Sequence, residues 1–254
     1  MKISNPAFNY DQLGQKYSGF RRTDPRIAKY IWDALGSAET VLNVGAGTGS
    51  YEPDDRYVVA VEPSIAMRKQ RPANGRVPAI IATADSLPFD DNSFDASMAL
   101  VTIHHWADME KGLKELRRVT KGKVLIMTFD PASSEEFWKA EYFPELIEIE
   151  KQRDPAIDSI VHTLGGACEV IQIPIPLDCV DGFQEAFYGR PEAFLEKGVR
   201  QNQSTWGFLP EGMEEVMVKR LADELTSGEW DRKYGHFRTQ ESFTCAMRLV
   251  IARP

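Results

Sequence analysis

Apolar residues follow two rhythms along this chain, and the change between them marks its organisation. Tyr10, Leu13, Tyr17 and Phe20 recur at three- and four-residue steps, which places them on one face of a helical entry segment within residues 1–36. A second helix is predicted from Pro25 to Leu35, with Asp24 as its N-cap and Pro25 at its first position. From Thr40 the runs become short and almost wholly apolar: Thr40–Val44, Tyr57–Val61, Val77–Ala82, Phe94–Val101 and Val124–Phe129. Such runs suit strands covered on both faces. Helical stretches near Ser64–Gln70 and Met109–Thr120 lie between them. Alternating strands and helices imply an α/β fold, doubly wound around a mostly parallel sheet.

After Asp130 this regularity weakens. Ser133 to Gln152 is expected to be helical and is rich in aromatic residues, and Asp154 to Leu164 is expected to form another helix stopped by Gly165-Gly166. Cys168–Ile173 alternates like a strand, and Phe243–Ile251 is expected to be the last strand. The long stretch between them has helical character, notably Pro210–Ser227. The expected organisation is a helical lid over 1–36, a core made of 37–176 and 236–254, and a helical, aromatic-rich insertion over 177–235, all within one domain.

Composition narrows the function. The 254 residues are 43% apolar, enough for a full core, and the formal net charge of −8 disfavours nucleic acid and anionic membrane as partners. No run approaches the roughly 20 apolar residues of a membrane span, and the N-terminus carries no apolar signal core. A cytoplasmic protein is expected, as a monomer or homodimer. Cys168, Cys179 and Cys245 are odd in number and widely spaced, so neither a disulfide framework nor a metal site is expected.

Three stretches carry candidate chemistry. Val44 runs into Gly45-Ala46-Gly47-Thr48-Gly49, where glycines allow a tight turn and close approach of a ligand to the backbone. The spacing is G-x-G-x-G, with Ser50 where a dinucleotide fingerprint would extend. The next strand ends in Val61-Glu62-Pro63-Ser64, and an acid there can accept hydrogen bonds from both ribose hydroxyls of an adenosine ligand. The bland alternative is a solvated Glu62 beside the helix cap at Ser64. The third stretch runs from Ala84 through Asp85-Ser86-Leu87-Pro88-Phe89 to Asp95. There Asp85 suits an adenine amino group, and Leu87 and Phe89 could cover the ring.

In this order, followed by His104-His105, the three stretches resemble the class I S-adenosylmethionine-dependent methyltransferases. The chain is similar to the branch holding ubiquinone and menaquinone C-methyltransferases and natural-product enzymes, most clearly from Thr40 to Asp130. The resemblance implies a seven-stranded Rossmann-like methyltransferase sheet, S-adenosyl-L-methionine as cofactor with S-adenosyl-L-homocysteine as product, and a small-molecule methyl acceptor. It also implies cofactor contacts. Gly45, Ala46, Gly47, Thr48 and Gly49 would pass under the methionine and ribose. Glu62 would take the ribose, Pro63 and Met67 would flank the adenine, and Asp85 and Ser86 would contact it. Val101 would lie at the sulfonium, and Tyr10, Tyr17 and Arg21-Arg22 would belong to a closing lid. Two departures stand out. Asn43 replaces an acid common in relatives, and the segment from Gly49 to Tyr57 leaves no room for a full helix, so Arg21 or Arg22 is the candidate partner for the methionine carboxylate.

One of His104 and His105 is the candidate general base, since imidazole titrates near neutrality; a helix-capping or packing role is the alternative. Trp106 follows them and, with Tyr10, is a candidate for acceptor binding. In the insertion, most aromatics are expected to pack its own core. Tyr188 and Arg190, on a turn beside Gly189 and Pro191, are the expected ligand-facing pair. Two other readings remain at this level: a binding module without catalysis, and a nicotinamide-dependent oxidoreductase, against which the glycine spacing counts.

Overall fold

A computed structural model of the chain describes residues 17–254. A short turn of helix, α1 (Tyr17–Phe20), precedes α2 (Pro25–Leu35). Asp24 caps α2 as expected: it lies in extended backbone and accepts from Arg26 N. Then follow β1 (Thr40–Val44), β2 (Tyr57–Val61), α3 (Ile65–Gln70), β3 (Phe94–Leu100), α4 (Met109–Val119) and β4 (Thr120–Phe129). Beyond β4 come α5 (Lys139–Tyr142), α6 (Pro144–Arg153), α7 (Ile157–Leu164), β5 (Ala167–Gln172) and β6 (Ile175–Pro176). The final stretch contains α8 (Lys197–Gln201), α9 (Met213–Ser227), α10 (Glu229–Tyr234), β7 (Ser242–Phe243) and β8 (Met247–Arg253).

The central sheet has the order β2-β1-β3-β4-β8-β5. The first four strands are parallel, and β8 enters antiparallel between β4 and β5. Alternation along the strands splits the core into two layers. Val41, Met98, Leu125, Met127 and Leu249 face α2 and the aromatic segment after β4. Leu42, Ala99, Val124, Ile126 and Val250 face Leu113 and Leu116 of α4 and Ile160 and Leu164 of α7.

Among the described residues the sheet has six strands where seven were expected. Residues 77–82 form a single bridge, with Ile80 N donating to Ala60 O at 2.8 Å and Glu62 N to Ile80 O at 3.0 Å. Pro78 has no N–H to extend the ladder. The Val77 carbonyl instead accepts from the Arg71 guanidinium at 2.8 Å. Nor is Ser133–Gln152 one helix. Pro144 keeps Phe143 out of the helical region (φ −133°, ψ 53°), which separates α5 from α6. The last long strand begins at Met247, later than expected. Ala246 N donates to a Glu185 carboxylate oxygen at 3.1 Å, and Phe243 pairs with Ile175 in the two-stranded β6–β7 ribbon.

Phe137, Trp138, Phe143, Phe194, Trp206 and Trp230 are buried against one another in a chain of edge-on and tilted contacts. Phe194 and Trp206, expected to pack the insertion's own core, join the main core instead. Asp24 ties α2 to this region, because its second carboxylate oxygen accepts from Val180 N at 3.2 Å. Asp24→Ala is expected to lower stability by about 1–2 kcal/mol, measured by urea unfolding at pH 7.

Candidate functional site

At the carboxyl ends of β1 and β2 the chain encloses a cavity of about 400 Å³, in the size range of small-molecule sites. Gly45 leaves β1 at φ 69° and Gly47 continues at φ 51°, both in the left-handed region that favours glycine. The two glycines have different reasons. A side-chain carbon on Gly45 would lie 2.8 Å from Thr102 Cγ2 and 2.9 Å from Thr102 Cβ, and closer still to Thr102 Oγ1. One on Gly47 would meet nothing within 4 Å, so its exposed backbone is open to a ligand.

Glu62 faces this turn from the end of β2. One carboxylate oxygen accepts from Gly47 N at 2.8 Å and the other from Ser64 N at 2.8 Å. Burial pushes its carboxyl up, and these two backbone N–H groups oppose that. An ionised carboxylate has about four acceptor positions, so two remain for a ligand. The loop from Asp85 to Asn92 is held in shape by α4. Glu115 accepts from Leu87 N at 2.9 Å, and Arg118 donates to Phe89 O at 2.9 Å and to Leu87 O at 3.2 Å.

No described helix follows the glycine turn before β2, as the short link implied. A buried ion pair takes its place. Arg71, fully buried, meets Glu52 at 2.9 Å and directs its other nitrogen toward Ala46 O and Gly47 O at 3.4 Å each. Asn43 Nδ2 donates to Glu52 at 2.9 Å, which explains why an amide serves here: an acid would face the Glu52 carboxylate. Asn43 Oδ1 and Thr48 Oγ1 are buried without a partner, and both residues line the cavity.

A second cavity of about 80 Å³ adjoins the first. Arg21, Val101 and His105 line both. Val101 has φ 52°, which a β-branched residue adopts only under strain. Its N–H donates to Met127 O at 2.7 Å and holds it there. Arg21 Nε donates to Asp181 at 2.7 Å, and the other Asp181 oxygen accepts from Tyr51 OH at 2.8 Å. Buried Asp181 thus joins the N-terminal segment, the glycine turn and the region after β6.

His104 and His105 are both neutral at pH 7. Burial brings the His104 imidazole down to about 3, helped by Arg153 and Arg21, and burial with neighbouring His104 depresses His105 as well. Arg153 lies 3.3 Å from His105 Nδ1. Arginine only donates, so Nδ1 must accept, and the neutral ring bears its hydrogen on Nε2. In this arrangement His105 is a hydrogen-bond donor rather than a proton acceptor. Opposite His104 stands Asp154, 3.6 Å from His104 Nδ1. Burial and then Glu150 push its carboxyl up to about 8. Burial likewise raises Glu185 to about 7 against the attraction of Lys139.

The expected site residues are distributed as follows. Gly45, Ala46, Gly47, Thr48, Glu62, Pro63, Met67, Asp85, Val101, His105 and Trp106 line the large cavity. Gly49, Ser86 and Arg22 line neither; a side-chain carbon on Gly49 would run into Arg76, and Arg22 is exposed while neighbouring Arg21 turns inward. His104 lines the small cavity alone. Tyr10 and the side chain of Tyr17 lie outside the described residues. Tyr188 and Arg190 do not face a ligand. Tyr188 is buried with its hydroxyl donating to Gln240 O at 2.7 Å, and Arg190 donates to Cys179 O and Ala186 O at 2.8 Å each. Their turn is real but folded inward. Tyr51, Glu52, Arg71, Asp154, Asp181 and Glu185 were not anticipated, because each acts through partners distant in sequence.

A mostly parallel sheet with a glycine turn after β1 and an acid after β2 is the arrangement of nucleotide-cofactor-binding α/β proteins. The methyltransferase-domain family matches residues 42–127. The solved structure of a protein from Anabaena variabilis, assigned as a methyltransferase of an antibiotic biosynthesis pathway, superposes with a TM-score of 0.85 at 30% identity, covering 91% of this chain and 98% of that one. The demethylmenaquinone methyltransferase of Corynebacterium urealyticum is 36% identical over 129 residues, 48% of this chain and 51% of the relative. The ubiquinone/menaquinone biosynthesis C-methyltransferase UbiE of a Geobacter species is 34% identical over 141 residues, 48% of this chain and 59% of the relative. The chain spans about half the length of these curated relatives. It belongs to the class I S-adenosylmethionine-dependent methyltransferases.

Two outcomes are expected from this geometry. Gly45→Ala should cost more than about 3 kcal/mol in urea unfolding through clash and backbone strain, against about 1 kcal/mol for Gly47→Ala. Stability should also fall as pH rises from about 6.5 to 8, whereas below that range His104 and His105, neutral when folded and protonated near 6.5 when unfolded, offset the trend. The unfolded chain loses the Asp154 and Glu185 protons near pH 4, whereas the folded chain keeps them to about 8 and about 7. Asp154→Asn should flatten that fall by about 1 kcal/mol per pH unit, seen in melting curves of both proteins across the range.

Proposed function

We propose that this protein transfers a methyl group from S-adenosylmethionine to a small molecule. The large cavity would hold the cofactor and the small one would admit the acceptor. The observation that carries this reading is the Glu62 carboxylate, fixed by two backbone N–H groups opposite an open Gly47 and keeping acceptor positions for a ribose. Bound S-adenosylmethionine supplies a methyl on a sulfonium that needs no further activation. The residues that would hold it are Gly45, Ala46, Gly47 and Thr48 under the methionine and ribose, Pro63 and Met67 beside the adenine, and Asp85 at its amino group. The orphaned Asn43 Oδ1 suits the methionine ammonium, in place of the missing acid. Arg21, already on Asp181, is the cation nearest in role to the expected carboxylate partner.

The chain's own contribution to the reaction would be alignment and exclusion of water. Val101 sits where the cavities meet, and His105 offers an N–H there rather than a base. In this reading the lid is the part of residues 1–36 that precedes α2, since α2 packs on the sheet; 37–176 with 236–254 form the cofactor core, and 177–235 the acceptor-side insertion. The Arg21–Asp181–Tyr51 junction supports that division, since it links all three. A small-molecule acceptor, no nucleic-acid partner and a cytoplasmic monomer or homodimer complete the reading, in keeping with the net charge of −8. Neither the nicotinamide reading nor the purely binding one is favoured.

Glu62→Ala is expected to weaken S-adenosylhomocysteine binding by about 10- to 100-fold, the range for losing hydrogen bonds to a charged group. Isothermal titration calorimetry measures this. Failure of the wild-type protein to bind S-adenosylhomocysteine or S-adenosylmethionine would overturn the proposal.

A further inference from the structure

The small cavity has an unusual balance of charge for so confined a space. Its wall includes Asp130, Glu150, Asp154 and Glu185. The cations around it are engaged. Lys139 meets Glu150 at 2.7 Å, Arg21 meets Asp181, and Arg153 bonds His105 and stacks 3.8 Å over the Phe208 ring. Asp130 has Arg248 at 3.4 Å. Asp154 and Glu185 have no Lys or Arg bonded to them among the described residues.

Some buried acceptors in this wall have no donor. Glu185, buried with 6% of its surface exposed, uses one oxygen on Ala246 N and leaves Oε2 without a partner. Gln184 Oε1 and His104 Nδ1, also in this wall, are unpartnered as well. Orphaned buried acceptors are rare and call for an explanation. Phe129, Phe137 and Phe183 form the apolar part of the wall, and aromatic faces attract cations. A cavity of about 80 Å³ admits only a handful of water-sized groups. It excludes a long hydrocarbon chain.

We propose that this cavity receives the ammonium group of the methyl acceptor, so that the substrate is a small amine-bearing molecule anchored through Asp154 and Glu185. An ammonium brings three N–H donors and one positive charge to these unpartnered acceptors. Its entry draws the two neighbouring carboxyls into their ionised forms, so binding near pH 7 releases protons to the buffer. The remainder of the acceptor extends toward Val101 and His105, where the cavities join. The inference rests on the methyltransferase reading of the large cavity.

The test uses the full chain saturated with S-adenosylhomocysteine and three matched probes: tyramine, its alcohol analogue 4-(2-hydroxyethyl)phenol, and 4-hydroxyphenylacetate. Calorimetry at pH 7 in two buffers of different ionisation enthalpy is expected to show tyramine binding at least 10-fold more tightly than either analogue, with proton release. Glu185→Gln and Asp154→Asn, made separately so that one folding failure leaves the other, should each remove that preference while S-adenosylhomocysteine affinity stays as in the wild type. Equal or better binding of the alcohol or the carboxylate overturns the proposal, as does no binding by any probe. Failure of S-adenosylhomocysteine itself to bind would instead overturn the methyltransferase reading.

Discussion

Two opposite charges shut away from water, Arg71 and Glu52, brace the glycine turn beside the large cavity. Moving either one out of solvent is expensive, and only their mutual attraction and the surrounding hydrogen bonds offset it. The arrangement supplies those bonds. Glu52 accepts from Asn43 as well as Arg71, and Arg71 reaches Val77 O and the carbonyls of the glycine turn. In this way one side chain ties the end of β1 to the segment after α3, spanning the gap left by the missing helix. The turn can then point Gly47 N at Glu62 and leave its own open face to a ligand.

The second constraint lies at Val101. A strained backbone is kept only where its surroundings insist on it, and here the insistence comes from the bond to Met127 O and from crowding between Thr102 and Gly45. The strain sits where the two cavities meet. Asp181 controls the same junction from the other side, with Arg21 and Tyr51 on its two oxygens. The large cavity and the acid-lined one are therefore not independent pockets. They share a wall in which three segments meet.

Much of this fold was legible in the sequence. The boundaries of β1, β2 and α2 follow the apolar runs and the Asp24-Pro25 cap residue for residue, because strands buried on both faces and a proline-started helix leave little choice. The place of Glu62 at the end of β2 was legible for a similar reason, but its bond to Gly47 N was not. Other features were hidden by distance. Glu52 and Arg71 are 19 residues apart, and Tyr51 and Asp181 are 130 apart, so no local pattern connects them. Tyr188 shows the converse difficulty. Gly189 and Pro191 do signal a turn, but turn chemistry says nothing about whether the turn faces water or the core. His105 was recognisable as a site residue and not by role, since its tautomer depends on Arg153, 48 positions away.

The place of β8 in the sheet has a consequence for how the molecule comes into being. Among the described strands β5 pairs only with β8, and β8 is made last of them. While the ribosome is still adding the residues between Gln172 and Met247, β5 has no neighbour to join, and the edge of β4 stands open. The nascent sheet can assemble its parallel half early and must wait to close the antiparallel half. During that interval the open β4 edge is a site for wrong pairing, and folding in the cell should depend on how quickly the chain reaches Arg253.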